Sequence, residues 1–503
     1  MNSPFVFAKF GLSWHYPGAP SFSIPKTRSI SPRRFDSNVV LTMQDLETLK
    51  QGGYRDAKLT KLKLNTPLDS FPLEIFELGD TLEQLDLSGT GLSTVPDEFG
   101  RQLPNLKIAF FSNCNFKIFP KPLAACPQLE MVAFRSNSMA EIPEDALPPQ
   151  LRWLILTDNK LAALPTSIGR CSRLQKCMLA GNELRALPEE MARCIKLGLL
   201  RLSANRLESV PSWLFQLPEL AFLSFAGNPC TSPMANGAAG AVRGLANISW
   251  TDLQIEETLG SGASGIISKG VWQQSPTYGE EVAVKLFRGA LTSDGTPADE
   301  MAACLAAGSH ESLIGVLGRI HGHPEEESAG ESKFQGGIVM QLIPPYYGVL
   351  GQPPSLASCT RDCYPEGTVL TGERALSILS GVAGAAEHLH GRGIAHGDIY
   401  AHNILVSQED GHALLGDFGA ASIYGRGAAR DCAIEPLEVL AFAHLTEDVL
   451  RLVQLEAPEL RKGLEDLHRR CADPNPASRP AFEQIAEELQ GLVGWRTIMR
   501  LPN

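Results

Sequence analysis

Three short stretches hold residue types that handle anions. The first, LGSGASGIISKG, spaces Gly260, Gly262 and Gly265 as G-x-G-x-x-G between two β-prone runs. Backbone amides with no side chain in front of them can approach an anionic group closely. The second, GIAHGDIYAHNILV, spans residues 393–406 and carries His396, Asp398, His402 and Asn403; the third, LGDFGAAS, carries Asp417. Carboxylate and amide oxygens are hard ligands of the kind magnesium takes, and a further carboxylate can accept a proton. Between the first stretch and the other two, VAVKLF sets Lys285 in a strand-prone run. The glycine motif alone is weakly specific, so its weight comes from the motifs downstream of it and from their order.

That order is glycine loop, strand lysine, an acid in ADEMAACLAAG (Glu300), the apolar run GIVMQLI, then His396, Asp398 and Asn403, then Asp417-Phe418-Gly419. It resembles the protein kinase signature set. With the leucine repeats that precede this region, the chain resembles the compact leucine-rich-repeat protein kinases of bacteria and some eukaryotes, and CADPNPASRPAFEQI supplies Arg479 where kinases carry a late arginine.

The resemblance implies a bilobal α+β domain that binds ATP and Mg2+. The nucleotide site would comprise Leu259, Gly260, Ser261, Gly262, Ala263, Ser264, Gly265 and Ile267 of the loop, with Ala283 and Lys285 of the following strand. Glu300 would hold the lysine, Met340 would be the gatekeeper, and Gln341 to Ile343 would face adenine. Asp398, Lys285 and Asn403 would be catalytic, and Asn403 with Asp417 would hold the metal. The expected activity is transfer of the γ-phosphate to protein Ser/Thr hydroxyls. Two alternatives are a pseudokinase scaffold, and a kinase-fold enzyme acting on a non-peptide hydroxyl.

Departures from the pattern are concentrated in the second stretch. Gly397 replaces an arginine that pairs with a phosphorylated activation loop, and Tyr400 replaces a lysine that contacts the transferring phosphate. Loss of one such cation costs about 10²–10³ in rate by analogy with other single electrostatic stabilisers. His402 stands where many tyrosine kinases carry an arginine, and reads first as a hydrogen-bonded loop histidine. Only 18 residues separate Gly419 from Glu438, the acid expected to brace the catalytic loop, and they contain no Thr. The activation segment is therefore short, with Ser422 and Tyr424 its only hydroxyls. The expectation is a site ordered without loop phosphorylation, in which Ser422→Ala with Tyr424→Phe leaves activity intact.

In front of this domain, leucines recur every 22–24 residues, opening blocks at Leu59, Leu82, Leu106, Leu129, Leu151, Leu174, Leu197 and Leu220. LRWLILTDNKLAALP shows the leucine-rich-repeat order, so about eight repeats of an α/β horseshoe solenoid are predicted. Asn137, Asn159, Asn182, Asn205 and Asn228 form the expected ladder of buried amides. Cys126, Cys171 and Cys194 fall on core positions. On the concave face the outward strand positions read Ile108, Met131, Trp153, Lys176, Leu199, Phe222 and Asp86, Phe110, Ala133, Ile155, Met178, Arg201. So apolar a face predicts a protein partner or substrate on Ile108, Phe110, Met131, Trp153, Ile155, Leu199 and Phe222, or cover by the chain's own kinase domain.

The domain plan is thus 1–40 leader, 41–230 repeats, 231–249 linker and 250–497 kinase-like. Residues 1–35 hold five basic residues, six serines and no acid, a composition read as a disordered leader with organelle targeting as its alternative. Eleven cysteines without paired CxxC, and a net charge of -12 over 503 residues, predict a cytoplasmic protein with reduced thiols and no nucleic-acid surface. No apolar run is long enough for a membrane span.

Overall fold

The computed structural model describes residues 46–54, 58–231, 245–327, 334–424, 431–454 and 458–499; the leader expected at 1–40 lies outside them. Eight three-residue strands pair in parallel and in chain order. They are β1 (Lys61–Lys63), β2 (Gln84–Asp86), β3 (Ile108–Phe110), β4 (Met131–Ala133), β5 (Trp153–Ile155), β6 (Lys176–Met178), β7 (Leu199–Arg201) and β8 (Phe222–Ser224). In each repeat the middle strand residue points inward, so Leu62, Leu85, Leu154, Leu200 and their equivalents are fully buried in one continuous core. Proline starts the turn on the opposite side: Pro165, Pro188 and Pro211 precede 3-10 turns at Thr166–Arg170, Glu189–Arg193 and Ser212–Gln216.

The asparagine ladder closes the remaining backbone groups. Asn159 accepts from the Met139 N–H at 2.8 Å and donates to the Phe134 carbonyl at 2.8 Å, and Asn182, Asn205 and Asn228 repeat the pattern. Cys114 fills the same position in the third repeat with a thiol directed at the Leu87 carbonyl.

The second domain opens with a six-stranded sheet in the order β10-β11-β12-β14-β13-β9. Its strands are β9 (Ala246–Ser249), β10 (Leu253–Gly262), β11 (Gly265–Ser275), β12 (Tyr278–Arg288), β13 (Val316–His321) and β14 (Phe334–Gln341). β9 falls in the stretch read as linker, yet pairs in parallel with β13, so the sheet begins four residues earlier than expected. Helix α1 (Pro297–Ala307) lies against this sheet. Thr296 caps it by accepting from the Asp299 N–H, and Gly308, at φ 69°, ends it. Below come the helices α2 (Gly372–His390), α3 (Asp431–Leu452), α4 (Pro458–Cys471) and α5 (Phe482–Met499), of which α4 is charged and buries only the stripe Leu460, Leu464, Leu467 and Cys471. No helix among the described residues is long and apolar enough to cross a membrane.

Candidate active site

The glycine stretch forms a tight hairpin in which Gly262 pairs with Gly265, leaving Ala263 and Ser264 at the turn. A Cβ on Gly265 would sit 2.0 Å from the Leu286 carbonyl, so only glycine allows β11 to lie this close to β12. Ser261 is exposed at the lip, Ser264 is buried, and Gly260 pairs with Ile267. On β12, period-two alternation turns Ala283 and Lys285 to one side, and the buried Lys285 ammonium is ion-paired to Glu300 of α1. Burial works against the charge on Lys285, but Glu300 outweighs it and raises the pKa.

A cleft of about 50 Å³ is lined by Ile267, Lys285, Glu300, Met340, Gln341 and Asp417, together with Cys304 and Phe418. Beside it Leu259, Ile267, Ala283 and Ile343 pack with Leu405 and Leu414, a sandwich of apolar walls from both lobes. Leu405 was not anticipated. Its signal was its place in the apolar run that follows Asn403, which forms the strand Ile404–Ser407. The hairpin residues 260–265 form the rim of this cleft and not its wall.

Asp398 and Asn403 lie below. The Asn403 amide nitrogen donates to the Asp398 carbonyl at 3.0 Å and to its carboxylate at 2.9 Å. That leaves the amide oxygen as the atom Asn403 can offer a metal. His396 bonds the Gly416 carbonyl at 3.0 Å and its ring lies tilted against Phe418, tying the loop to the Asp417 stretch. Glu438 of α3 accepts from the His396 and Gly397 N–H groups, as the sequence predicted for a bracing acid. Asp417 adopts φ 60°, and its carboxyl is pushed up to about 6 by burial, then by Glu300 and Asp398, against Lys285. A buried carboxyl crowded by two other acids, together with the Asn403 amide oxygen, is a donor set of the kind that suits a hard divalent cation.

The remaining faces of the loop meet the repeat array. Arg201 of β7 reaches Asp398 at 2.5 Å, the Gly397 carbonyl at 2.9 Å and Asp294 at 2.7 Å. Burial works to raise the Asp398 pKa, but Arg201, helped by His402 and His396, lowers it, so the carboxylate is ionised. The Tyr400 ring stacks on Phe222 of β8, centroids 3.9 Å apart and planes within 9°. Trp153 donates its indole N–H to Cys359, and Met131 joins the same cluster. Met178, Leu199 and Phe222 are buried in the core of the second domain, whereas Ile108, Phe110 and Ile155 remain part-exposed. His402 bonds Asp362 at 2.7 Å, which, against the cost of burial, raises its pKa; it is the hydrogen-bonded loop histidine expected first.

Ser422 and Tyr424, the two hydroxyls of the short segment, are both engaged in the fold. The Ser422 hydroxyl accepts from the Phe225 N–H at 2.9 Å, and the Tyr424 hydroxyl bonds His390 at 2.8 Å, both buried, so neither is a free acceptor. Arg479 donates to the Asp473, Pro436 and Pro218 carbonyls, the last on the repeat array.

Residues 253–431 match the family model for protein tyrosine and serine/threonine kinases. A probable serine/threonine-protein kinase of Dictyostelium discoideum is 25% identical over 295 residues, 50% of this chain. The chain spans about a fifth of that relative's length, since the match covers 19% of it. A leucine-rich-repeat protein of Leptospira interrogans aligns over 34% of this chain and 49% of its own, at 28% identity and a TM-score of 0.29. Residues 253–431 thus carry the match to the protein tyrosine and serine/threonine kinase family, behind an array of eight short parallel strands.

Proposed function

We propose that the chain is an ATP- and Mg2+-dependent protein kinase of Ser/Thr type. The observation that carries this reading is the formed Lys285–Glu300 ion pair above Asp398, Asn403 and Asp417, which leaves every group needed for phosphoryl transfer in one place. Lys285 would ground the α- and β-phosphates, and the hairpin amides of 260–265 would close over them. Asp417 and the Asn403 amide oxygen would hold magnesium, whose charge neutralises the phosphate oxygens. Asp398 orients the acceptor hydroxyl. As the γ-phosphorus–oxygen bond to the β-phosphate breaks and a new one forms to the acceptor oxygen, the hydroxyl proton passes to Asp398 and ADP leaves.

The repeats would recruit the acceptor. With Met131, Trp153, Leu199 and Phe222 buried against the chain's own second domain, that role would fall to the part-exposed Ile108 and Phe110 at the edge of the same cluster. A specific observation favours a second reading: the array packs directly on the catalytic loop at Gly397 and Tyr400, and the close cover this gives would suit a small non-peptide hydroxyl.

The test is radiolabelled ATP with magnesium, offering casein and a mixture of small polyols, for the native chain, Lys285→Met and Asp398→Asn. Label on protein that disappears in both variants is expected. Label only on polyols would replace this reading with the second, and nucleotide binding without any transfer would make the chain a pseudokinase.

A further inference from the structure

Two departures in the catalytic loop, Gly397 and Tyr400, remove cations that the kinase pattern places beside the catalytic aspartate. Both positions face the repeat array. Gly397 has φ 75°, and a Cβ there would lie 2.5 Å from the Ala420 carbonyl and 2.8 Å from the Leu223 carbonyl. Any side chain at 397 would hold β8 away from the loop. At 400, a flat ring is what stacks on Phe222, whereas a lysine would have to bury its ammonium against that ring. The two losses are the same event viewed twice, since each makes room for the array.

The array brings a cation with it. Arg201 is 2% exposed, and all three of its nitrogens donate: Nε to Asp294, one Nη to the Gly397 carbonyl, the other to Asp398. Asp294 is itself held, its carbonyl accepting from Ser224 at 3.1 Å and its backbone N–H bonded to Thr292 at 3.1 Å. A guanidinium this buried is tolerable only when its donors are matched, and its planar fork is suited to fixing a carboxylate. Arg201 takes one oxygen of Asp398 while Asn403 takes the other, so the carboxylate plane is set from two sides. The Asp398 side chain keeps 17% of its surface exposed, which leaves an approach for an acceptor and argues against a plug.

We propose that Arg201 of the seventh repeat is a positioning residue of the phosphotransfer site: it fixes Asp398 and supplies the positive charge that Gly397 and Tyr400 omit. The array is then part of the catalytic centre, and the kinase domain is incomplete without it. This inference rests on the kinase reading proposed for the chain.

The test uses the full chain with Mg·ATP and casein, comparing native protein, Arg201→Met and Arg201→Lys. The methionine variant keeps the length and loses the charge; we expect kcat to fall by about 10²–10³ with the KM for ATP little changed. The lysine variant keeps the charge without the fork and recovers about a tenth of the native kcat, a rescue that a purely structural prop would not give. If the methionine variant cannot be isolated folded, the lysine variant decides by the same split, lower kcat at unchanged KM. Faster transfer by Arg201→Met would overturn the proposal and make the contact a latch. Unchanged kcat, or kcat and KM worsening together in both variants, would also overturn it. A silent native chain would instead overturn the kinase reading, and this inference with it.

Discussion

At the residue scale, the magnesium role proposed for Asp417 can be tested through the groups around it. Its carboxyl is raised to about 6, first by burial and then by Glu300 and Asp398. A raised carboxyl pKa means the native chain holds a proton that the unfolded chain has released, so this group's contribution to stability falls as pH rises from about 4 to about 6. Metal binding runs the opposite way, because a hard cation needs the anion and must displace that proton. The thermal upshift produced by Mg·ATP should therefore be small near about pH 5 and grow through about pH 6 to a plateau. Differential scanning fluorimetry across that range checks it. Asp417→Asn should give a small upshift at every pH; an Asn variant that keeps the full pH-dependent upshift would remove Asp417 from the metal site.

At the scale of elements, the described residues that follow Gly419, up to Tyr424, are held by packing and hydrogen bonds. Ser422 and Ile423 form a two-residue strand against Ile394 and Ala395, which places the Ser422 hydroxyl under the Phe225 N–H of the array and the Tyr424 hydroxyl on His390. The sequence indicated that these hydroxyls were the only ones available, but not that they were buried, because their partners lie 197 and 34 residues away and follow no period. Ser422→Ala would strand a buried N–H and Tyr424→Phe a buried imidazole nitrogen, each costing about 1–3 kcal/mol. Urea melts of the double variant should show that loss of stability, while kcat, measured well below the melting transition, should stay near native. A collapse of kcat in a still-folded double variant would restore the case for loop phosphorylation. The repeat strands were far more legible, since leucines at a near-constant interval encode both strand and register. The kinase motifs were legible because each carries its chemistry in a few adjacent residues.

At the scale of the whole molecule, what sequence left hidden is how the two domains meet. Each surface could be read alone: an apolar concave face on one side, and a loop with two missing cations on the other. Arg201 was visible only as a lone cation at the end of the second outward row, and its bond to Asp398 spans 197 residues. The face it belongs to combines the Trp153–Cys359 contact, the Phe222–Tyr400 stack and the buried side chains of Met131, Met178 and Leu199. Interfaces between domains stay fixed when they are extensive and apolar, and move when they are small and polar. A protease site engineered between residues 232 and 244 tests which regime applies. After cleavage the two fragments should co-elute as one species of native mass, because the contacts, not the covalent connection, hold them. Phe222→Asp replaces the ring stacked on Tyr400 with a carboxylate, and Trp153→Asp removes the indole packed on Met131 and Cys359. After cleavage the fragments of either variant should separate, with transfer lost along with the association. Native fragments that separate readily and leave an active kinase fragment would place Arg201 outside the catalytic centre and make the array a detachable partner.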